Sequence, residues 1–148
     1  MKIALGADHA GFELKEKLKA YLAAKGHEVV DLGTGSTESV DYPDFGFAVG
    51  RAVSQGLVER GVLACGTGIG IAIAANKVKG VRAGTPNDLF ATRLMREHND
   101  ANVISFGARQ VAPTLAEAML DVFLSTPFEG GGRHERRVGK LNAAGGTE

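Results

Sequence analysis

Short apolar runs alternate along this chain with longer stretches of helical spacing. The first run, KIALGA at residues 2–7, is short, apolar and bounded by turn-forming residues, which is the pattern of a strand. FELKEKLKAYLAAKG follows. It sets Phe12, Leu14, Leu18, Tyr21 and Leu22 near helical spacing and stops at Gly26. HEVVDLG (27–33) reads as a second strand, and VDYPDFGFAVGRAVSQG (40–56) as a turn plus a helix with Pro43 in its first turn. RGVLAC (60–65) reads as a third strand, leading into a glycine-rich loop and a helix to about Lys77. GVRAGT (80–85) is expected as the fourth strand, and PNDLFATRLMREHND (86–100) as a helix opening on Pro86. NVISFG (102–107) gives the fifth strand and APTLAEAMLDVFLST (112–126) the last long helix.

Strand and helix alternating five times predict a parallel sheet covered on both faces, an α/β fold. With right-handed crossovers the expected architecture is a Rossmann-like three-layer αβα sandwich around a five-stranded parallel sheet. Five strands are too few for an eight-stranded barrel. After Pro127 the pattern changes: FEGGGRHERRVGKLNAAGGTE is rich in glycine and arginine. Such a segment buries little, so residues 129–148 are expected as a C-terminal surface arm, with the last seven residues loose.

Composition narrows the function classes. At 148 residues the chain is expected to be one domain, residues 1–148, burying about two-thirds of its unfolded surface. Lys plus Arg and Asp plus Glu both total 17, so no net charge points to nucleic acid. A single cysteine excludes an internal disulfide framework and a multi-cysteine zinc site, and fits a reducing cytoplasm. The N-terminus turns polar after seven residues, too soon for a signal peptide. No stretch approaches the roughly 18 consecutive apolar residues of a membrane span. The expectation is a soluble, cytoplasmic domain with no membrane partner.

In parallel sheets of this kind ligands sit beyond the carboxyl ends of the strands. The residues there are Asp8 and His9, Gly33 to Tyr42, Cys65 to Gly70, Thr85 and Arg109. A lone cysteine ending a strand is ordinarily a small buried hydrophobe. Cys65, however, stands where a helix begins, and the positive end of a helix favours a thiolate. The glycines after it, Gly66, Gly68 and Gly70, also open the backbone N–H groups to a ligand.

The loop is neither a P-loop nor the dinucleotide fingerprint: Ile71 stands where the latter needs its third glycine, and the loop follows the third strand. It can still hold a phosphate or the oxyanion of an enediolate. Otherwise it is simply a tight turn that needs glycine. Asp8 serves equally as an N-cap for the next helix. His98 and Asn99, in REHND, fall at a helix end, where a histidine also complements the dipole. Arg133, His134, Arg136 and Arg137 form a charge cluster that offers a phosphate site, or a solvated face. No metal-ligand spacing is visible. Together the parts suit metal-free proton transfer beside a carbonyl on a phosphorylated small molecule.

Five spaced motifs extend the likeness: GADHAG, DYPDF, CGTGIGIAIAANK, REHNDANV and EGGGRHERRV. In this order, from Met1 to about Leu141, the chain resembles ribose-5-phosphate isomerase type B. That family also contains galactose 6-phosphate and allose 6-phosphate isomerases. The resemblance implies interconversion of ribose 5-phosphate and ribulose 5-phosphate through an enediol, with no metal and no organic cofactor. It makes Cys65 the base between C2 and C1 and gives Thr67 the hydroxyl protons. The backbone around Gly66, Gly68 and Gly70 holds the enediolate oxygens. Asp8 and His98 open the furanose ring, Tyr42 and Asn99 line the sugar, and His9, Arg109, Arg133 and Arg137 take the phosphate.

The resemblance further implies a homodimer or homotetramer whose site is shared, with His98, Asn99 and Arg109 reaching in from the neighbouring subunit. Members without the thiol use a glutamate six residues further on. Here that residue is Ile71, which implies the cysteine version. Three glycines precede Arg133 where the family pattern has two. Two alternatives stand beside this reading: a hexose 6-phosphate isomerase of the same family, and a non-catalytic flavodoxin-like module binding a nucleotide.

Overall fold

The structure, a computed structural model, describes residues 1–146. Eleven elements follow one another: β1 (Lys2–Ala7), α1 (Phe12–Ala24), β2 (Glu28–Asp31), α2 (Tyr42–Ser54), β3 (Arg60–Cys65), α3 (Ile69–Asn76), β4 (Ala83–Gly84), α4 (Leu89–Glu97), β5 (Val103–Gly107), α5 (Pro113–Ser125) and α6 (Arg133–Ala144). The five strands pair in parallel in the order β2-β1-β3-β5-β4. The expected three-layer αβα sandwich is the one observed.

Each strand sends alternate residues to opposite faces. Ile3, Leu5, Val62, Ala64, Ile104 and Phe106 pack with Leu14, Leu18 and Leu22 of α1, Met95 of α4 and Met119, Leu120 and Phe123 of α5. Their strand neighbours Ala4, Leu63, Cys65 and Val103 pack instead with Val49 and Ala52 of α2 and Ile71 and Ala75 of α3. The face a helix takes follows the direction of the chain across the sheet. Steps toward β2 place α1 and α4 on one side, and steps toward β4 place α2 and α3 on the other. Crossovers of a single hand require this arrangement. Its consequence for the site is that Cys65 points into the α2–α3 side at the end of a central strand.

Three boundaries differ from the sequence expectation. The fourth strand is two residues long instead of six, because the preceding chain bonds side chains and turns. The Arg82 N–H goes to Asn102 Oδ1 (2.8 Å), and the Ala83 N–H to Asn76 Oδ1 (2.8 Å). Helix α4 opens at Leu89, not Pro86: Asp88 is its N-cap, with Oδ1 accepting from the Ala91 N–H at 2.7 Å. The arm after Pro127 is helical over most of its length as α6, so Asn142–Ala144, expected among the loose last residues, lie in a helix. Glu135 in its first turn accepts from the Gly131 N–H at 3.1 Å, and Val138 is buried, which anchors an otherwise exposed element. Thr147 and Glu148 of the expected loose end lie outside the described residues. Among the described residues no helix is long and apolar enough to cross a membrane.

Candidate active site

The chain leaves β1 toward one edge of the sheet and β3 toward the other, so a crevice opens above the carboxyl ends of these two central strands. A pocket of about 400 Å³ lies there, lined by Asp8, Tyr42, Cys65, Gly66, Thr67, Ile69, Gly70 and Arg109. Cys65 is 6% exposed, and its Sγ accepts the Gly68 N–H at 3.1 Å. Thr67 Oγ1 accepts the Ile69 N–H at 3.3 Å. The N–H groups of Gly70 and Ile71, second and third in α3, have no intrahelical acceptor and sit at the positive end of the helix. The loop is therefore built to receive negative charge.

The three glycines serve three different ends. Gly68, the N-cap of α3, has φ +76°, and a Cβ there would lie 2.7–2.9 Å from the backbone of Phe106 and Gly107. Its carbonyl accepts the buried Ser105 hydroxyl at 2.6 Å, which fixes the loop to β5. Gly66 leaves room for the Arg109 guanidinium, which would lie 3.0 Å from a Cβ. Gly70 leaves room for the Tyr42 ring, 2.5 Å from a Cβ. The tight-turn reading holds at Gly68, while Gly66 and Gly70 leave room for the Arg109 and Tyr42 side chains that line the pocket.

Asp8 is 6% exposed, and its Oδ1 accepts the N–H groups of Ala10 (3.0 Å) and Gly11 (3.1 Å). It therefore caps the turn after β1 and not α1, whose N-cap is Gly11. Its second oxygen has no hydrogen bond among the described residues. His9 Nδ1 accepts the Val40 N–H at 3.1 Å, which leaves the ring proton on Nε2. His9 thereby ties β1 to the loop that delivers Tyr42, beside the pocket and not on its lining. Arg109 was expected to come from a neighbouring subunit. It lies in the Cys65 pocket of its own chain, because the Ala108 and Arg109 N–H groups bond to Cys65 O (2.8 Å) and Gly66 O (3.1 Å).

The remaining candidates gather elsewhere. His98 is the C-cap of α4, and its ring stacks on that of His134 in α6, with centroids 4.0 Å apart and planes within 8°. Partial burial first, and then the charges of His98, Arg133 and Arg137, hold the His134 imidazole below its ordinary pKa, against the opposing pull of Glu129. Asn99 lines a different cavity of about 330 Å³ with Arg82, Met95 and Leu141. Arg133 and Arg137 are exposed on α6, and neither lines the Cys65 pocket.

The turn carrying His98 and Asn99 is held by residues that sequence reasoning did not single out. Asp100 adopts φ +46° and is gripped by two arginines. Arg96 Nη1 donates to Asp100 Oδ1 (3.0 Å) and Ala101 O (2.6 Å), and its Nε to Thr126 O (3.1 Å). Arg82 donates to Asp100 O (2.8 Å) and Oδ2 (3.3 Å). The i, i+4 spacing of Arg96 and Asp100 was the visible signal.

The sequence profile of the Ribose/Galactose Isomerase family matches residues 3–141. The chain belongs to that family. Ribose-5-phosphate isomerase B of Escherichia coli is 47% identical over 142 residues, 96% of this chain and 95% of the relative. The structure of ribose-5-phosphate isomerase B from Clostridium thermocellum superposes with a TM-score of 0.95 at 49% identity, covering 97% of each chain. D-erythrulose-4-phosphate isomerase of Pectobacterium atrosepticum is 42% identical over 133 residues, 89% of this chain and 88% of the relative. Within the ribose/galactose isomerase family, then, this chain carries the thiol version of the glycine loop.

Proposed function

We propose that the protein interconverts ribose 5-phosphate and ribulose 5-phosphate, an aldose–ketose isomerisation through an enediol. One observation carries the reading: the crevice brings together a thiol, a carboxylate, an arginine and a helix N-terminus stripped of side chains. Asp8 and His98 open the furanose ring by proton exchange at the ring oxygen and the anomeric hydroxyl. The Cys65 thiolate then takes the C2 proton, the carbonyl oxygen at C1 gains a proton, and the enediol forms. Its oxygens lie against the N–H groups of the loop at Gly66, Gly68 and Gly70. Loss of the O2 proton through the Thr67 hydroxyl and return of the proton from sulfur to C1 give the ketose. No step needs a metal or an organic cofactor. Tyr42 and Asn99 line the sugar, and His9, Arg109, Arg133 and Arg137 neutralise the phosphate.

The separation of His98 and Asn99 from the Cys65 pocket supports a shared site in a homodimer or homotetramer. Beside the pocket α3 exposes Ile69 (54%) and Ile73 (56%), one turn apart, and α4 exposes Phe90 (64%). Apolar surface at a site's edge suits a second copy of the chain. Since His134 joins α6 to His98, Arg133 and Arg137 arrive with it from the neighbour. The single free thiol suits a reducing compartment such as the cytoplasm.

Incubation with ribose 5-phosphate, read as ketose formed, tests the activity; no ketose removes it. The relative acting on D-erythrulose 4-phosphate favours trying other chain lengths, and allose 6-phosphate turned over faster than the pentose would reassign the substrate. Subunit exchange tests the sharing. Mixing inactive Cys65→Ala with inactive His98→Ala restores one intact site per mixed dimer. Verified exchange without recovery places both residues in one chain's site.

A further inference from the structure

His98, Glu129 and His134 each offer a ligand atom, and these atoms all lie within 4.8 Å of one another. None of the three side chains has a hydrogen bond or ion pair among the described residues. Both other histidines are engaged, His9 with Val40 and His27 with the N-terminus, and so are Asp31 with two lysines and Asp100 with two arginines. Three unengaged ligand groups from α4, the α5–α6 connection and α6 converge at one point.

We propose that His98, Glu129 and His134 bind a divalent transition-metal ion of the zinc type, and that the ion withdraws His98 from the sugar. Two imidazoles and one carboxylate are a common zinc donor set that leaves a fourth position to water. The backbone brings them together firmly. Glu129 donates its N–H to Glu97 O at 3.0 Å, and Arg96 Nε holds Thr126 O, so the connection cannot drift from the end of α4. The stack keeps the two ring planes parallel, so their lone pairs run side by side. Convergence on one ion requires His134 to turn about its Cβ–Cγ bond, a torsion that is broad and cheap. Arg133 and Arg137 on α6 oppose a cation, so the site is weaker than a closed structural zinc site. It is regulatory in effect: the isomerisation needs no ion, and the ion stops it. Only the inhibition rests on the role proposed for His98; the binding does not.

Zinc titrated into the intact protein by calorimetry tests the binding. One ion per chain is expected, and His134→Ala or Glu129→Gln should weaken it by about tenfold or more, at least what is lost with an outer-shell partner. Cys65→Ser should leave it unchanged. Cobalt in place of zinc should give a visible band without a sulfur-to-metal charge transfer. Absence of saturable binding, binding indifferent to His134→Ala, or loss in Cys65→Ser would each overturn the site. In turnover, zinc should inhibit and a chelator reverse it, while Glu129→Gln keeps its basal rate and tolerates about ten times more zinc. Zinc bound at the three residues with the rate unchanged would overturn the inhibition and the role of His98 together, leaving the binding site standing.

Discussion

The two groups of candidate residues differ in how they are held. Around Cys65 the loop and the turn after β1 are tied by internal partners. Sulfur faces the Gly68 N–H, Thr67 faces Ile69, Asp8 caps its turn, and Ser105 holds the loop to β5. At the end of α4 the backbone is clamped by Arg82 and Arg96, yet the His98, Glu129 and His134 side chains engage no polar partner among the described residues. One region is a finished cradle at the carboxyl edge of the sheet. The other presents reactive groups outward from a fixed support. A cradle of the first kind suits the reacting carbons, whose transition state requires donors already in place. Outward groups of the second kind suit completion of a site on another copy.

The largest expected effect breaks the cradle's chemistry without disturbing its shape. Cys65→Ala should lower turnover by a factor of roughly 10² to 10⁴, the usual cost of a lost general base, with phosphate affinity nearly kept. Steady-state kinetics and inorganic phosphate inhibition check both halves of that statement. Near-normal turnover would return Cys65 to the role of a buried hydrophobe.

Breaking the shape instead should be felt as lost stability. Gly68→Ala forces a side chain into φ +76° and within 2.7–2.9 Å of immovable backbone. The conformation alone costs about 1–3 kcal/mol, and the clash adds to it. Gly70→Ala meets only the Tyr42 ring, a side chain that can swing, so it should cost less stability and raise KM. Chemical denaturation of the pair separates the two. Equal losses would mean that the Tyr42 ring is as fixed as the backbone.

The cradle could be read from one chain because its parts sit at strand ends. A strand ending in Cys65 and followed by glycines declares both its place in the sheet and its open backbone. Strand β4 and the start of α4 were misplaced because side chains of Asn76, Asn102 and Asp88 took over backbone partners. Local propensity does not register such bonds. Helix α6 was hidden by the glycines before it, whereas its own residues, fixed by Glu135 and Val138, are helix-compatible. The meeting of His98 with His134 and Glu129 depends on how α4, α5 and α6 pack, and no spacing in the sequence encodes it. For the outward group the residues set His98 at a helix end, only the family resemblance gave it a catalytic role, and nothing pointed to Glu129.

A milder break acts on the outward region alone. Arg137→Ala removes a guanidinium whose charge-assisted bond to phosphate is worth roughly 1.5–3 kcal/mol. Substrate affinity should fall by roughly tenfold or more, with inorganic phosphate weakened in parallel and folding stability unchanged. A loss of stability as large as that of Gly68→Ala would show that α6 is part of the finished structure and not an outward group.

The smallest effects, in pH, distinguish the two regions by where they appear. In the outward region the folded state keeps His134 below its ordinary value, so the folded protein binds fewer protons there than the unfolded chain. Stability tied to the neutral stack is present above the unfolded histidine value of about 6.5 and is lost as pH falls below it. The cradle's support responds later. Burial pushes the Asp31 carboxyl up, but hydrogen bonds from Lys15, Lys19 and the Gly33 N–H outweigh it and hold it below its ordinary value. Lys15, 2% exposed, also donates to Thr34 O at 2.8 Å, at the head of the loop that delivers Tyr42. That contribution is present above the unfolded carboxylate value of about 3.9 and is lost as pH falls through the lower folded one. Denaturation midpoints followed from neutral pH to about pH 3 should therefore fall in two steps. His134→Ala should erase the upper step alone, and Asp31→Asn the lower. A single step removed by either variant would mean that the stack and the cradle unfold as one unit, and the contrast between the two regions would then be one of chemistry only.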